Sequence, residues 1–270
     1  MIRSFALAAV VATAALAVPA PIFAKAAGPF DTAIAGAWRS DANKARDQYR
    51  HPAQTLKFFG VKPGQTVVEI SPSGGWYTEI LAPAMRGNGK YVAGLANPLA
   101  SVNAAKSVET FKAKFADKAI YGDIAIGTFG KGVSDIVEPG TADVVLTFRN
   151  VHNWHMSSWD QEAFKAFFKA LKPGGTLGVV EHRLPEARAD ADMKTSGYMK
   201  LSYVKMLAEK AGFKLAGSSE INANAKDTKD YPKGVWTLPP NYAEGDATKA
   251  KYAAIGESDR MTLKFVKPKK

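Results

Sequence analysis

The stretch "ADVVLTFRNVHNWHMSSWDQEAFKAFFKALKPGGTLGVVEH", residues 142–182, decides the architecture. Its first seven residues are almost wholly apolar, as expected of a strand covered on both faces of a sheet. From 160 to 171 the apolar residues recur three and four apart, which places them on one face of a helix. "KPGG" stops that helix, because proline and glycine cannot continue it, and "TLGVVEH" then reads as a second strand. Strand, crossover helix and strand together make the unit of a parallel sheet.

The same alternation runs outward in both directions. Strands are expected at 66–70, 90–95, about 120–122 and 214–222, and in the final "RMTLKFVKP", which with the first two makes seven. Helices are expected at about 76–85, 99–116 and 203–212, after an N-terminal helical segment over 41–59 that is interrupted near Pro52. The fold class is therefore α/β, with a doubly wound, mostly parallel seven-stranded sheet. Its ligand site belongs beyond the carboxyl ends of the first and fourth strands.

Composition narrows the setting. Residues 1–3 are basic, residues 5–18 are uncharged and mostly Ala, Val and Leu, and small residues follow near Ala24 and Ala26. This pattern predicts a signal peptide over 1–24 and one domain over 25–270, exported to the periplasm or beyond. The apolar run is shorter than the roughly 20 residues of a membrane-spanning helix, so no stable membrane insertion is expected. The absence of cysteine excludes disulfides, iron–sulfur clusters and cysteine–zinc sites. Lys and Arg exceed Asp and Glu by 36 − 25 = 11, but the lysines are dispersed over helix-like stretches, as on solvated faces. No aromatic platform is interleaved with arginine, so nucleic acid is not an expected partner.

With the block 142–182 in place, the order of elements over about 53–268 resembles a class I S-adenosylmethionine-dependent methyltransferase. In small-molecule members of that class the fourth strand ends in a His/Trp loop, a helix follows, and "LKPGG" opens the fifth strand. "RHPAQTLKFFGVKPG", "GGWYTEILAP" and "KDTKDYPKGVWTLPP" further resemble a family of exported, predicted methyltransferases. The resemblance implies a Rossmann-like methyltransferase fold with the last strand antiparallel, S-adenosyl-L-methionine as cofactor, and a small-molecule acceptor.

The cofactor loop of such enzymes follows the first strand and places an acidic residue before three alternating glycines. In "VVEISPSGGWYTEILAP" Glu69 fills the acidic position, Gly75 is the last glycine and Gly74 stands beside it. Ser71 and Ser73 replace the first two glycines, which would otherwise let the backbone turn tightly and approach a ligand. Pro72 stiffens the loop further. A plain strand-to-helix turn is the alternative reading. The acid that binds ribose hydroxyls is replaced by Leu95, leaving Asn97 as the nearby polar residue. Asp123 stands where related enzymes place an acid near adenine, although an Asp after a strand is also an ordinary turn residue.

Three of the four histidines, His152, His155 and His182, follow the fourth and fifth strands and are expected to face the crevice. Asn150, Asn153, Trp154 and Glu181 join them there. His152 is the first choice for a general base that removes a proton from an acceptor hydroxyl or amine, and His182 the second. Asn150 is grouped with the cofactor contacts; Asn153, Trp154, His155 and Trp236 with the acceptor. Trp236 and Tyr231 belong to a long insertion before the last strand that can close the acceptor pocket. Arg46, Arg50 and His51 precede the first strand, on a helix that either folds over the opening or packs as a solvated helix. Two other classes stay open: a binding protein that kept the fold without transfer, and a metal site made from His152, His155, His182 and Glu181.

Overall fold

The structure is a computed structural model that describes residues 1–2 and 28–269; the expected leader and its cleavage site fall almost wholly outside them. The N-terminal part is helical: α1 (Pro29–Ala35), α2 (Asp41–Lys44), α3 (Asp47–Arg50) and α4 (Pro52–Phe59). β1 (Thr66–Ile70), α5 (Thr78–Met85), β2 (Lys90–Leu95), α6 (Val102–Lys114) and α7 (Lys118–Tyr121) follow. Next come β3 (Ala125–Gly130), β4 (Val133–Asp135), β5 (Ala142–Phe148), α8 (Val151–Met156), α9 (Asp160–Ala170) and β6 (Leu171–Leu184). The chain closes with β7 (Met199–Lys200), α10 (Leu201–Ala211), β8 (Lys214–Ser219), α11 (Lys249–Ala253) and β9 (Arg260–Val266). Among the described residues no helix is long and apolar enough to cross a membrane.

The sheet has nine strands in the order β4-β3-β2-β1-β5-β6-β9-β8, with β7 paired to β6 off this path. β3, β2, β1, β5 and β6 run parallel, and β9 is inserted antiparallel between β6 and β8. The two strands beyond the expected seven are short. β4 folds back on β3 as an antiparallel hairpin, and β7 contributes only two residues. A second difference concerns the third strand, which lies at 125–130 and not at 120–122. Residues 118–121 instead form α7, because Asp117 caps it by accepting the N–H of Ala119 through its side chain.

Alternation along the central strands puts a core on each face. Val67, Val144 and Leu146 join a cluster with Leu56, Ile80, Leu81, Val108 and Phe111 under α4, α5 and α6. Val68, Ile70 and Val145 point the other way, into a cluster with Phe164, Phe167, Val204 and Leu207 of α9 and α10. In α9, Ala163, Phe164, Phe167 and Ala170 are buried three and four residues apart, and Asp160 and Glu162 favour its first turn. "KPGG" forms a bulge in the β5–β6 ladder, where the register jumps from Ala142↔Leu171 to Val144↔Thr176. The strand order reverses between β1 and β5, so a crevice opens beyond their carboxyl ends.

Candidate functional site

A cavity occupies that crevice. Its walls come from the turn after β1 (Ser71, Pro72, Ser73), the turn after β5 (Arg149, Asn150), α8 (His152, Asn153), the end of β6 (His182) and the insertion before β9 (Trp236, Asn241). Arg50, at the end of α3, and Trp76 close the N-terminal side.

The β1 turn keeps the shape of a glycine loop although two of its glycines are gone. Ser71 and Ser73 have φ of 50° and 51°, and Gly75 has φ of 75°. All three therefore sit in the left-handed region, where a side chain costs roughly 1–2 kcal/mol. Gly75 allows no alternative, since an added Cβ would lie 2.3 Å from the Phe115 ring. Asn150 ties the second wall to the first: its Nδ2 donates to the Ile70 carbonyl at 3.1 Å and to the Thr147 hydroxyl at 3.3 Å.

Glu69, at the floor, is 3 % exposed. One of its oxygens accepts from the Tyr91 hydroxyl at 2.6 Å and from the Thr78 hydroxyl at 3.0 Å. Burial pushes its carboxyl up from 4.5 to about 7, against the opposing effect of these two hydrogen bonds.

Behind the opposite wall, Glu181 is fully buried and organises α8. It accepts the backbone N–H of Val151 at 2.6 Å, of His152 at 3.3 Å and of His182 at 2.8 Å. Its other contact is with His152 Nδ1, at 3.0 Å. His182 Nδ1 is held by the Ser258 hydroxyl at 2.5 Å. Burial, followed by the charges of His152, Arg149, Arg260 and Arg50, holds the His182 imidazole well below its ordinary pKa, and so neutral. Each ring thus has Nδ1 anchored and Nε2 left over, and the ring centroids are 5.2 Å apart. Trp236 meets the His152 ring edge-on at 6.0 Å.

Of the residues singled out in the sequence, Glu69, Ser71, Ser73, Asn150, His152, Asn153, His182 and Trp236 line this cavity, and Arg50 joins them. Gly74 and Gly75 belong to the turn without lining the cavity. The structure leaves Trp154, His155, Asn97, Asp123 and Tyr231 outside the lining. Trp154 lies in the core, against Phe129, Trp159 and Phe167, because helical spacing turns it away from His152. His155 points to α9 and α10, where Asp160 holds its Nδ1 at 2.7 Å and Tyr203 packs on its ring. Asn97 accepts the N–H of Leu99 two residues on, and Asp123 is an exposed partner of Lys118 at 2.7 Å. Tyr231 packs edge-on against Tyr252.

Arg149, Tyr77, Glu257 and Ser258 escaped the sequence reading. An arginine directly after an apolar strand was the available signal for Arg149. Ser258 and Glu257 are brought in because β9 runs antiparallel to β6 with His182 opposite Arg260. The ligand atoms of His152, Glu181 and His182 lie within 4.8 Å of one another, a spacing one metal ion can bridge. Glu181, however, already uses both oxygens on N–H groups, and His155 is absent from the cluster.

No protein-family model matches the chain, and no curated protein matches it in sequence. Solved structures do resemble it in fold. A SAM-dependent methyltransferase from Aquifex aeolicus superposes with a TM-score of 0.55 at 14% identity, over 83% of this chain and 93% of that one. The (4+2)-cyclase SpnF gives 0.57 at 13% identity, over 90% of this chain and 92% of that one. The chain therefore has the Rossmann-like fold of the class I methyltransferases, with the last strand antiparallel.

Proposed function

We propose that the protein is an exported methyltransferase that uses S-adenosyl-L-methionine to methylate a small molecule. The observation that carries this reading is the joint presence, in one crevice, of a β1 turn held at positive φ and a carboxylate-anchored histidine facing it. The donor set fits the amino-acid half of the cofactor: the Ser71 and Ser73 hydroxyls, the N–H groups of Ser73 and Gly74, and Asn150 beside them, the N–H groups of Ser71 and Gly75 being held by the Gly94 and Pro72 carbonyls. On the ribose side Leu95 offers no hydrogen bond, and Asn97 and Asp123 are the polar residues proposed for the adenosine half. When bound, S-adenosylmethionine supplies a methyl group on a sulfonium, which is already a good leaving group.

The protein's own part is then positioning and proton removal. His152 Nε2 accepts the proton of an acceptor hydroxyl or amine, while Glu181 at Nδ1 fixes the tautomer and stabilises the imidazolium that forms. His182 stays neutral and orients the acceptor. Asn153 and Trp236 bound the acceptor side. The test is transfer of labelled methyl from S-adenosylmethionine into the small-molecule fraction of an extract. The wild type is expected to transfer and His152→Ala to fail; undiminished transfer by His152→Ala removes the base assignment.

A second reading is a binding protein without transfer. It draws support from Leu95 and from the position of Asn97 and Asp123 outside the cavity. The fold is compatible with it, since SpnF is a cyclase.

A further inference from the structure

Four arginines gather at and behind one end of the cavity, two of them, Arg50 and Arg149, in its lining. Arg46, Arg50 and Arg260 converge on one carboxylate, Glu257, at 2.6, 3.0 and 2.9 Å. Arg149 stands nearby as a fourth cation, and among the described residues its guanidinium makes no ion pair and no hydrogen bond. Its φ of 61° is a conformation a non-glycine residue adopts at a cost, and the backbone N–H is pinned to the Val180 carbonyl at 2.7 Å. Arg50 is 3 % exposed, lies over the Trp76 ring at 4.7 Å, and lines the cavity with Arg149. Its Nη2 is buried with no hydrogen-bond partner.

Among the described residues, the one carboxylate in contact with any of these four guanidinium groups is Glu257, so cations outnumber it. Glu181 acts on Arg149 only from a distance, its oxygens held by His152 and three N–H groups, and burial keeps Glu69 protonated up to about pH 7. The strain on the cations is visible in Arg149, which burial and the neighbouring Arg260 and Arg46 bring down to about 10 despite the pull of Glu257. A buried donor without an acceptor and an unpaired guanidinium lining the same cavity are the two halves of a site for a forked anion.

We propose that Arg50 and Arg149 form an anion subsite in this cavity that takes a carboxylate or phosphate group of the bound small molecule. The anion has two sources, the carboxylate of the cofactor's amino-acid half or an acidic group on the methyl acceptor. Only the first source rests on the methyltransferase reading.

Calorimetry on the mature chain tests it with three probes, S-adenosylmethionine, its decarboxylated analogue and inorganic phosphate, each against wild type, Arg149→Gln and Arg149→Lys. Trp76 and Trp236 fluorescence gives an independent readout, and circular dichroism establishes that each variant is folded. The expected result is that wild type binds at least one anionic probe about tenfold or more tightly than Arg149→Gln does, with Arg149→Lys between them. If the decarboxylated analogue binds about tenfold more weakly than S-adenosylmethionine and Arg149→Gln erases that difference, the subsite holds the cofactor. If the two bind alike while phosphate binding depends on Arg149, it holds the acceptor. Arg149-dependent phosphate binding without any S-adenosylmethionine binding keeps the subsite and removes the methyltransferase reading. Equal affinities of wild type and folded Arg149→Gln for all three probes overturn the subsite.

Discussion

The Glu181 carboxylate lies 3.0 Å from Nδ1 of His152, and both side chains are buried at the end of the crevice. Because Glu181 also accepts three backbone N–H groups, it fixes the start of α8 and the imidazole together.

Glu181→Gln turns one acceptor oxygen into a donor that faces other donors. The expected cost is about 2 kcal/mol of stability. It also removes the bond that selects the His152 tautomer. Thermal unfolding reads the first effect and imidazole nitrogen shifts the second. A variant with unchanged melting temperature and unchanged His152 tautomer contradicts the arrangement.

Glu69 gives the protein a pH dependence with a definite sign. Its folded pKa is raised, from 4.5 to about 7, so the unfolded chain loses this proton first. The Glu69 contribution to stability is therefore greatest below about pH 4.5, falls as pH rises to about 7, and levels off beyond, a change on the order of 3 kcal/mol. Glu69→Gln keeps an oxygen for Tyr91 and Thr78 and cannot ionise. Urea unfolding is expected to show the variant matching wild type at pH 4.5 and exceeding it at pH 8. A difference that does not vary over this range contradicts the assignment.

Ser71 and Ser73 are held where glycine is at ease, so Ser71→Gly is expected to stabilise the protein by up to about 1 kcal/mol. Gly75→Ala goes the other way, because its Cβ meets the Phe115 ring at 2.3 Å. Unfolding midpoints of the two variants on opposite sides of wild type are the expected result. Two shifts of the same sign contradict the strained-loop description.

Burial opposes ionisation of Glu257, but Arg260, Arg50, Arg149 and Arg46 outweigh it and hold its carboxyl far below the usual carboxylate range. The stability this contributes is present above about pH 4.5 and is lost as pH falls below it. Glu257→Gln strips from Arg46, Arg50 and Arg260 the one carboxylate that pairs with them among the described residues, and is expected to cost roughly 3–5 kcal/mol at neutral pH. Denaturant titration checks the magnitude; a loss below about 1 kcal/mol contradicts it.

Periodicity made the parallel sheet legible, since strands covered on both faces are apolar throughout and the crossover helices carry a clear face. The third strand was misplaced because "KAIY" is short and its Asp117 cap decides for helix. At the site, Ser71, Ser73, Asn150, His152 and His182 could be read from their positions after strands. Trp154 and His155 could not be sorted from His152, because their loop turned out to be the helix α8, whose pitch sends Trp154 into the core and His155 to Asp160. Glu257 and Ser258 were illegible for a different reason. Only the antiparallel insertion of β9, a long-range pairing, brings them beside Arg50 and His182.

The most direct test of the central claim is calorimetric titration of the purified protein with S-adenosylmethionine and S-adenosylhomocysteine, with Gly75→Asp as control. Micromolar binding to the wild type, abolished in a folded Gly75→Asp variant, is the predicted result. No binding at millimolar ligand would contradict it and leave a methyltransferase fold put to another use.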